Sequence, residues 1–435
     1  MTSTGRRVGT AAHLAAGLAV LGAAGYAFVA VVGHVFDTPA DAPALSALIS
    51  LYLLVNLIGP GVYAALEQET SRAVSAATAR GETLRPIARR SAQLALWCFA
   101  GLLVLVLAGW PLLLGPVLDH RPGLLAALVV SIAGSAGVYW VRGLLGGQQR
   151  FAGYAATLYV EGAVRLLPGL LLFALAVGTP EPYGLAFALG SAVAALCVLP
   201  VLRLGAGSPV TVTGMGRSLG YLAVAIALSQ ALANLAPVVV SYRLPADPLL
   251  AAGFGTTFVL ARIPLFLFAP VQAVLLPKLT RAATLGRHDE LVRRLRQALA
   301  LVTGVGAVGV LGCALLGPWA AQVLFHTAIR PGTVTVTLLA AATWVMMTAL
   351  VVQPTLVALG RQRQVTVGWV AGSVVFLALL AAPVDPIAAA LAAQLAGPAV
   401  VLAVLGVGVA RTLGARARDD RLTAAREPAE TEGRP

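Results

Sequence analysis

Three charged residues sit where a mostly apolar chain should carry none: Glu161, Arg165 and Arg262. Each falls inside a long apolar run. A charge at such depth in hydrocarbon needs a partner, a wet cavity or an ionic ligand. Glu161 precedes Arg165 by four residues, the order that sets an acid and a base on one helix face. The pair can brace a bundle by mutual neutralisation; alternatively Glu161 titrates as a proton carrier and Arg165, once released, contacts substrate. Arg262 has no such neighbour. The residues three and four positions away are Phe258, Val259, Leu265 and Phe266, so an interior cavity with an anionic occupant is the expected setting. Pro264 removes a backbone donor beside it, and a kink is expected there. Asn56, Gln230, Asn234 and Gln353 are the polar residues expected to line such a cavity, with Pro237 and Pro354 marking candidate helix breaks. Interhelical hydrogen bonding is the simpler expectation for Gln272 and Gln394.

The elements that must position these side chains follow from composition. Of 435 residues, 59% are apolar and 11% charged, with a mean hydropathy of +0.89. So few charges cannot cover a soluble protein of this size. Apolar runs near the ~20 residues needed to cross a bilayer recur between short polar breaks. Twelve helical spans are expected at 9–35, 43–66, 92–115, 123–145, 155–178, 183–203, 217–241, 249–276, 298–325, 333–358, 365–382 and 387–411. The first run is too long for the core of a secretory signal. The fold class is therefore all-α and integral to the membrane.

The net charge of +13 is distributed by topology and gives no footprint for nucleic acid. Assigning Lys and Arg to alternate loops puts 25 on one side and 3 on the other, which predicts both termini in the cytoplasm. The opposite loops carry Asp37, Asp41, Asp119, Glu181, Asp247 and Asp385. Glu67 and Glu69, at the basic end of the second span, are expected to pair with arginines. Arginine outnumbers lysine 29 to 1, the bias of a GC-rich bacterial gene, so a bacterial plasma membrane is the expected location.

Two landmarks repeat. Ser71-Arg72-Ala73 after the second span matches Thr280-Arg281-Ala282 after the eighth. Gly147-Gln148-Gln149-Arg150 after the fourth matches Gly360-Arg361-Gln362-Arg363 after the tenth. Six spans intervene, an even number, so two like-oriented halves are expected, with substrate held between them. The divisions are 1–205, 206–412 and a disordered cytoplasmic tail over 413–435. Segments 82–93 and 289–300 have the mixed spacing of an interfacial helix, or of a solvated basic linker.

No nucleotide-binding GxxxxGK[ST] loop, HExxH or GxSxG is found, so ATP drive and the commonest hydrolytic chemistries have no carrier. Cys98, Cys197 and Cys313 lack ligand spacing and read as packed thiols. His34 and His326 fall at opposite-loop ends of helices, too scattered for a metal site. No cofactor is expected.

The run Ala261-Arg262-Ile263-Pro264, then Leu276-Pro277-Lys278-Leu279-Thr280-Arg281 with Gly286 following, resembles polysaccharide-export members of the multidrug/oligosaccharidyl-lipid/polysaccharide exporter superfamily. The twelve spans and the long basic joints after spans two and eight are similar to it as well. The Gly-x-x-x-Asp-Arg-x-Gly-Arg joint of major facilitators is missing. The resemblance implies a flippase for a lipid-linked saccharide, with Arg262 and Arg165 holding its phosphate. It further implies membrane lipids and a glycosyltransferase or polymerase of the same pathway as partners. A cation-coupled drug antiporter using Glu161, or a non-transporting scaffold for glycan assembly, are the alternatives.

Overall fold

A computed structural model describes residues 3–79, 81–202, 204, 219–265, 279, 287–326 and 329–431. Among the described residues twelve helices are long and apolar enough to cross a membrane, and no strand occurs. In chain order they are α1 Ser3–Val35, α2 Ala42–Ala79, α3 Arg85–Ala108, α4 Pro122–Gly147, α5 Phe151–Ala174 and α6 Pro180–Val198. The second set is α7 Leu219–Arg243, α8 Pro248–Ala261, α9 His288–Phe325, α10 Thr333–Ala358, α11 Gln362–Leu380 and α12 Pro386–Thr431. Each of the twelve expected spans has its helix, the eighth described only as far as Leu265 because 266–276 lie outside the described residues. Lys278, Thr280, Arg281, Gly286, Gln272 and the joint around 205–216 lie outside the described residues.

Local chemistry explains the helix starts. Proline opens α4, α6, α8 and α12, where its missing N–H would be unpaired anyway. Asp247 caps α8 by accepting from the Leu250 amide at 3.0 Å. Asp385 does the same for Ala388 at 2.8 Å at the start of α12, satisfying donors that hydrocarbon could not.

Three boundaries depart from the expectation. The segments expected as interfacial helices or linkers run straight into α3 and α9, as their basic first turns. Nothing breaks the backbone between the amphipathic start and the apolar run, and each further helical residue adds a hydrogen bond. The expected tail, 413–435, continues α12 to Thr431, because its Ala, Arg and Glu are strong helix formers. Finally, α7 and α10 pass unbroken through Pro237 and Pro354.

The two sets of six pack alike. In the first, α1 lies on α5, α2 on α4, α4 and α5 on α6, and α3 on α4. In the second, α7 lies on α11, α8 on α10, α10 and α11 on α12, and α9 on α10. The third helix of each set, α3 or α9, is the least buried, and the second, α2 or α8, the most. Lipid-facing side chains such as Trp97 and Leu315 are exposed accordingly. The helices α2 and α8, together with α7, bring the lobes together, since α2 packs on both.

Within the first lobe, α4 crosses α2 through Gly143 and Gly147, four residues apart. A methyl on Gly143 would meet Thr70, and one on Gly147 would lie 2.7 Å from the Ser71 carbonyl and against Val74. Small residues at this spacing let membrane helices approach closely. Gly147→Leu is expected to destabilise the lobe by about 1–3 kcal/mol through overpacking, read as a lowered unfolding temperature in detergent. An unchanged transition would show that this crossing is loose.

Candidate functional site

The buried charges fall into two groups of different character. In the first lobe, α5 presents Thr157, Glu161 and Arg165 on one face, and α4 supplies a second arginine, Arg142. The Arg142 guanidinium donates to Glu161 Oε2 at 2.5 Å and, from Nε, to Thr157 Oγ1 at 2.8 Å. Arg165 Nη2 donates to the other oxygen, Glu161 Oε1, at 2.6 Å. Ser191 on α6 also donates to Oε1, at 2.6 Å, and accepts from Arg165 at 3.2 Å. The expected Glu161–Arg165 pair is present, with all three charged residues buried.

Aromatic groups complete this network. Arg142 Cζ lies 5.6 Å from the Tyr139 ring centroid and 5.8 Å from that of Tyr154. Arg165 Cζ sits 4.6 Å from the Phe187 centroid. Tyr154 donates from its hydroxyl to Glu67 on α2 at 2.6 Å, and Glu67 lies within electrostatic reach of Arg142. Glu67 therefore does not take an arginine at the membrane surface as expected, whereas Glu69 pairs with Arg72.

Arg142 is the residue the sequence reading missed. In the 25-to-3 tally it belongs with the basic loop after the fourth span, but it lies inside α4 and is only 4% exposed, so the loop tally loses one cation. Its carboxylate partner is nineteen residues away on another helix, beyond any local pattern.

The second lobe holds Arg262. Helix α8 ends at Ala261, Arg262 forms a turn, and helical backbone resumes at Ile263. The expected interruption beside Pro264 is thus present. The amide of Arg262 bonds to the Val259 carbonyl at 3.1 Å, a tightened turn. Fourteen residues from the start of α8 correspond to about 21 Å of helix, inside a hydrocarbon core of about 30 Å. The side chain is buried and has no acidic partner among the described residues. Its Nη2 donates to Gln394 Oε1 at 3.0 Å, and Gln394 in turn donates to the Leu232 carbonyl at 2.9 Å. Its Cζ lies 4.3 Å from the Phe258 ring centroid. Nε and Nη1 make no hydrogen bond among the described residues. Gln394 thus holds the guanidinium in place without neutralising it.

Tyr52 on α2 connects the two groups. It lies within electrostatic reach of both Arg165 and Arg262, and its ring centroid is 5.5 Å from that of Phe187. The remaining expected cavity residues divide. Asn56 donates to the Tyr52 carbonyl at 2.8 Å. Asn234 donates to the Gln230 carbonyl and side chain on its own helix, α7, and Gln230 faces Gly61 on α2. These three lie on the helices that join the lobes. Gln353 does not belong with them: its side-chain oxygen accepts from Trp369 at 2.8 Å, tying α10 to α11 within one lobe.

The lobes touch at the end that carries the acidic loops. Ser46 and Ser50 on α2 reach Ser241 on α7, at 3.1 and 3.3 Å between hydroxyl oxygens. Gly255 on α8 packs against Ile49 of α2, and Gly33 of α1 against the Phe325 carbonyl. His34 and His326, expected to be scattered, stand with ring centroids 5.0 Å apart, and His326 Nε2 is 3.5 Å from Asp37.

The architecture is that of MATE-type transporters. An inward-facing MATE family transporter of the MOP superfamily superposes with a TM-score of 0.67 at 13% identity, covering 92% of this chain and 95% of that one. Its outward-facing counterpart gives 0.61 at 11% identity, with 93% and 96% covered. A mutant form of the Vibrio cholerae MATE transporter VcmN gives 0.59 at 14%, with 93% and 98% covered. No family model matches the sequence. An uncharacterized protein of Mycobacterium tuberculosis (strain ATCC 25618 / H37Rv) is 28% identical over 363 residues, 80% of each chain. A second uncharacterized protein of that strain is 27% identical over 294 residues, 65% of this chain and 66% of its own length. Fold and hydropathy together define a multi-pass membrane protein with two like-oriented six-helix lobes.

Proposed function

We propose that this protein is an alternating-access flippase that moves an anionic lipid-linked saccharide between the leaflets of a bacterial plasma membrane. Arg262 carries the reading. It is a buried, acid-free guanidinium with two unsatisfied N–H-bearing nitrogens among the described residues, and a phosphate or pyrophosphate is the anion whose geometry such a fork fits. Arg165 stands across Tyr52 as a second, compensated cation. Asn56, Gln230 and Asn234 offer polar contacts along the same seam. The excess of arginine at one end orients that end toward the cytoplasm, so the acidic-loop end, where the lobes touch, faces outward in this reading.

The direct test reconstitutes the purified protein in vesicles with a fluorescent lipid-linked oligosaccharide and follows its exposure to an impermeant quencher. Translocation above protein-free vesicles is expected. Its absence, together with efflux of cationic dyes that depends on Glu161, would instead establish the cation-coupled antiporter suggested by the multidrug transporters that share the fold. Glu161 argues against that outcome, because it accepts from two guanidinium groups and a hydroxyl and would have to shed them to carry a proton.

Alternating access also requires the acidic-loop seam to part. In a background lacking the three native cysteines, Ser46→Cys with Ser241→Cys should form a disulfide, given the 3.1 Å between the hydroxyls. Translocation should fall at least tenfold on oxidation and return on reduction. Unimpaired transport through the cross-linked protein would show that this seam does not open, and a scaffold role predicts no dependence on the cross-link at all.

A further inference from the structure

A groove of about 730 Å³ runs between α11 and α12 of the second lobe at the arginine-rich end, lined by none of the residues around Arg262 and Tyr52. Arg361, Arg363 and Arg411 surround its mouth, and Val367, Val404 and Val407 form its wall. The three arginines are solvent-facing, and no salt bridge to an acid is found for any of them among the described residues. The turn between α10 and α11 places the first two. Gly360 adopts φ +74, and the Arg361 amide closes the turn onto the Leu356 carbonyl at 2.8 Å. This left-handed helix ending suits glycine, and it leaves Arg361 and Arg363 flanking the groove opposite Arg411.

The depth of the groove identifies its occupant. Its wall belongs to the membrane-spanning parts of both helices, Arg363–Leu380 and Pro386–Gly414. Val367 and Val407 are about half exposed, so hydrocarbon is what they meet. The arginines lie at the ends of those same spans, at the level of lipid headgroups. Three guanidinium groups without an acid, above an apolar slot, match one ligand class, a phospholipid with a net negative headgroup. Its phosphate would sit among the arginines and an acyl chain along the valines. We propose that this groove is a binding site for an anionic phospholipid, separate from the substrate path and independent of what the cleft carries.

The test uses the full chain in nanodiscs of equal phosphatidylglycerol and phosphatidylcholine, with retained lipids counted by native mass spectrometry after gentle extraction. The wild type is expected to retain phosphatidylglycerol over phosphatidylcholine by about tenfold or more, at the scale expected of three basic side chains near a lipid surface. Arg361→Ala with Arg363→Ala and Arg411→Ala should bring that ratio near unity. Arg89→Ala with Arg90→Ala and Arg293→Ala, exposed cations elsewhere at the same end, should leave it unchanged. Val404→Trp, which fills the slot and keeps every charge, should lower retention severalfold. Absence of enrichment on the wild type overturns the proposal. So does equal loss in the two triple variants, which would reduce the effect to general charge attraction. Full displacement by millimolar inorganic phosphate would also overturn it, since a free anion would then suffice.

Discussion

Replacing Arg262 with alanine is expected to abolish translocation while leaving folded protein in the membrane at close to its normal amount. The two halves of this expectation rest on the same geometry. Arg262 forms no ion pair among the described residues, so its removal strands no opposite charge. Gln394, its side-chain hydrogen-bond partner, keeps its own bond to the Leu232 carbonyl. A buried cation without an acid is costly in hydrocarbon, and removing it relieves that cost against the cavity left beside Phe258. Substrate anchoring, by contrast, loses its donors. Two charge-assisted hydrogen bonds at about 1.5–3 kcal/mol each amount to about a hundredfold or more in the stability of the bound state. Arg262→Met, closer in volume, should match the alanine variant in transport and exceed it in thermal stability. Arg262→Lys keeps the charge but not the planar fork and should retain partial activity. The vesicle assay decides: near-normal translocation by the alanine variant would remove Arg262 from the substrate path and with it the proposal for a phosphate-bearing cargo.

What could be read from the amino acids alone depends on whether the cause is local. Hydropathy over twenty residues is local, and it located the twelve apolar helices found among the described residues. The spacing of Glu161 and Arg165 is local, and their ion pair is present. The tightened turn at Arg262 follows from Pro264 two residues later. Arg142 failed because nothing near it marks it as buried. It sits five residues before the end of α4, where an arginine reads as the beginning of a basic loop, and only the packing of α4 on α2 and α5 turns it inward. Gln353 failed for the opposite reason. A glutamine beside a proline reads as a broken, wet helix, but an indole sixteen residues away on the next helix satisfies it and the helix continues. Helices α3 and α9 start earlier than hydropathy places them, at Arg85 and His288, because a charged amphipathic turn lowers hydropathy without ending a helix.

The two lobes therefore share a fold and differ in their electrostatic state, and the difference decides which charge is structural. In the first lobe cations and acids alternate: Glu67, Arg142, Glu161, Arg165. Each has a neighbour of opposite sign on a different helix or the next turn, and together they join α2, α4, α5 and α6. In the second lobe Arg262 stands without an acid among the described residues. A charge that is compensated in place has little to offer a passing anion, whereas an uncompensated one is satisfied only when something arrives. Glu161→Ala tests the structural half of this division. It leaves Arg142 and Arg165 buried with no carboxylate between them, and removing one partner from a buried network costs about 3–5 kcal/mol. The variant is expected to unfold at markedly lower temperature or denaturant concentration, and to accumulate poorly in the membrane. Glu161→Gln keeps the shape and some hydrogen bonds but not the charge, and should fall between. Removing the arginines as well, with Arg142→Met and Arg165→Met added to Glu161→Gln, leaves no stranded charge and should recover most of the lost stability, because apolar replacements of a whole buried network are often neutral. If that triple variant also retains translocation, the first-lobe charges are bracing alone and Arg165 has no part in holding substrate. If it folds well and fails to transport, Arg165 or Glu161 acts on the cargo directly, and the cleft is cationic on both sides of Tyr52. Normal stability of Glu161→Ala alone would contradict the premise, since it would mean that the two arginines reach water without their carboxylate.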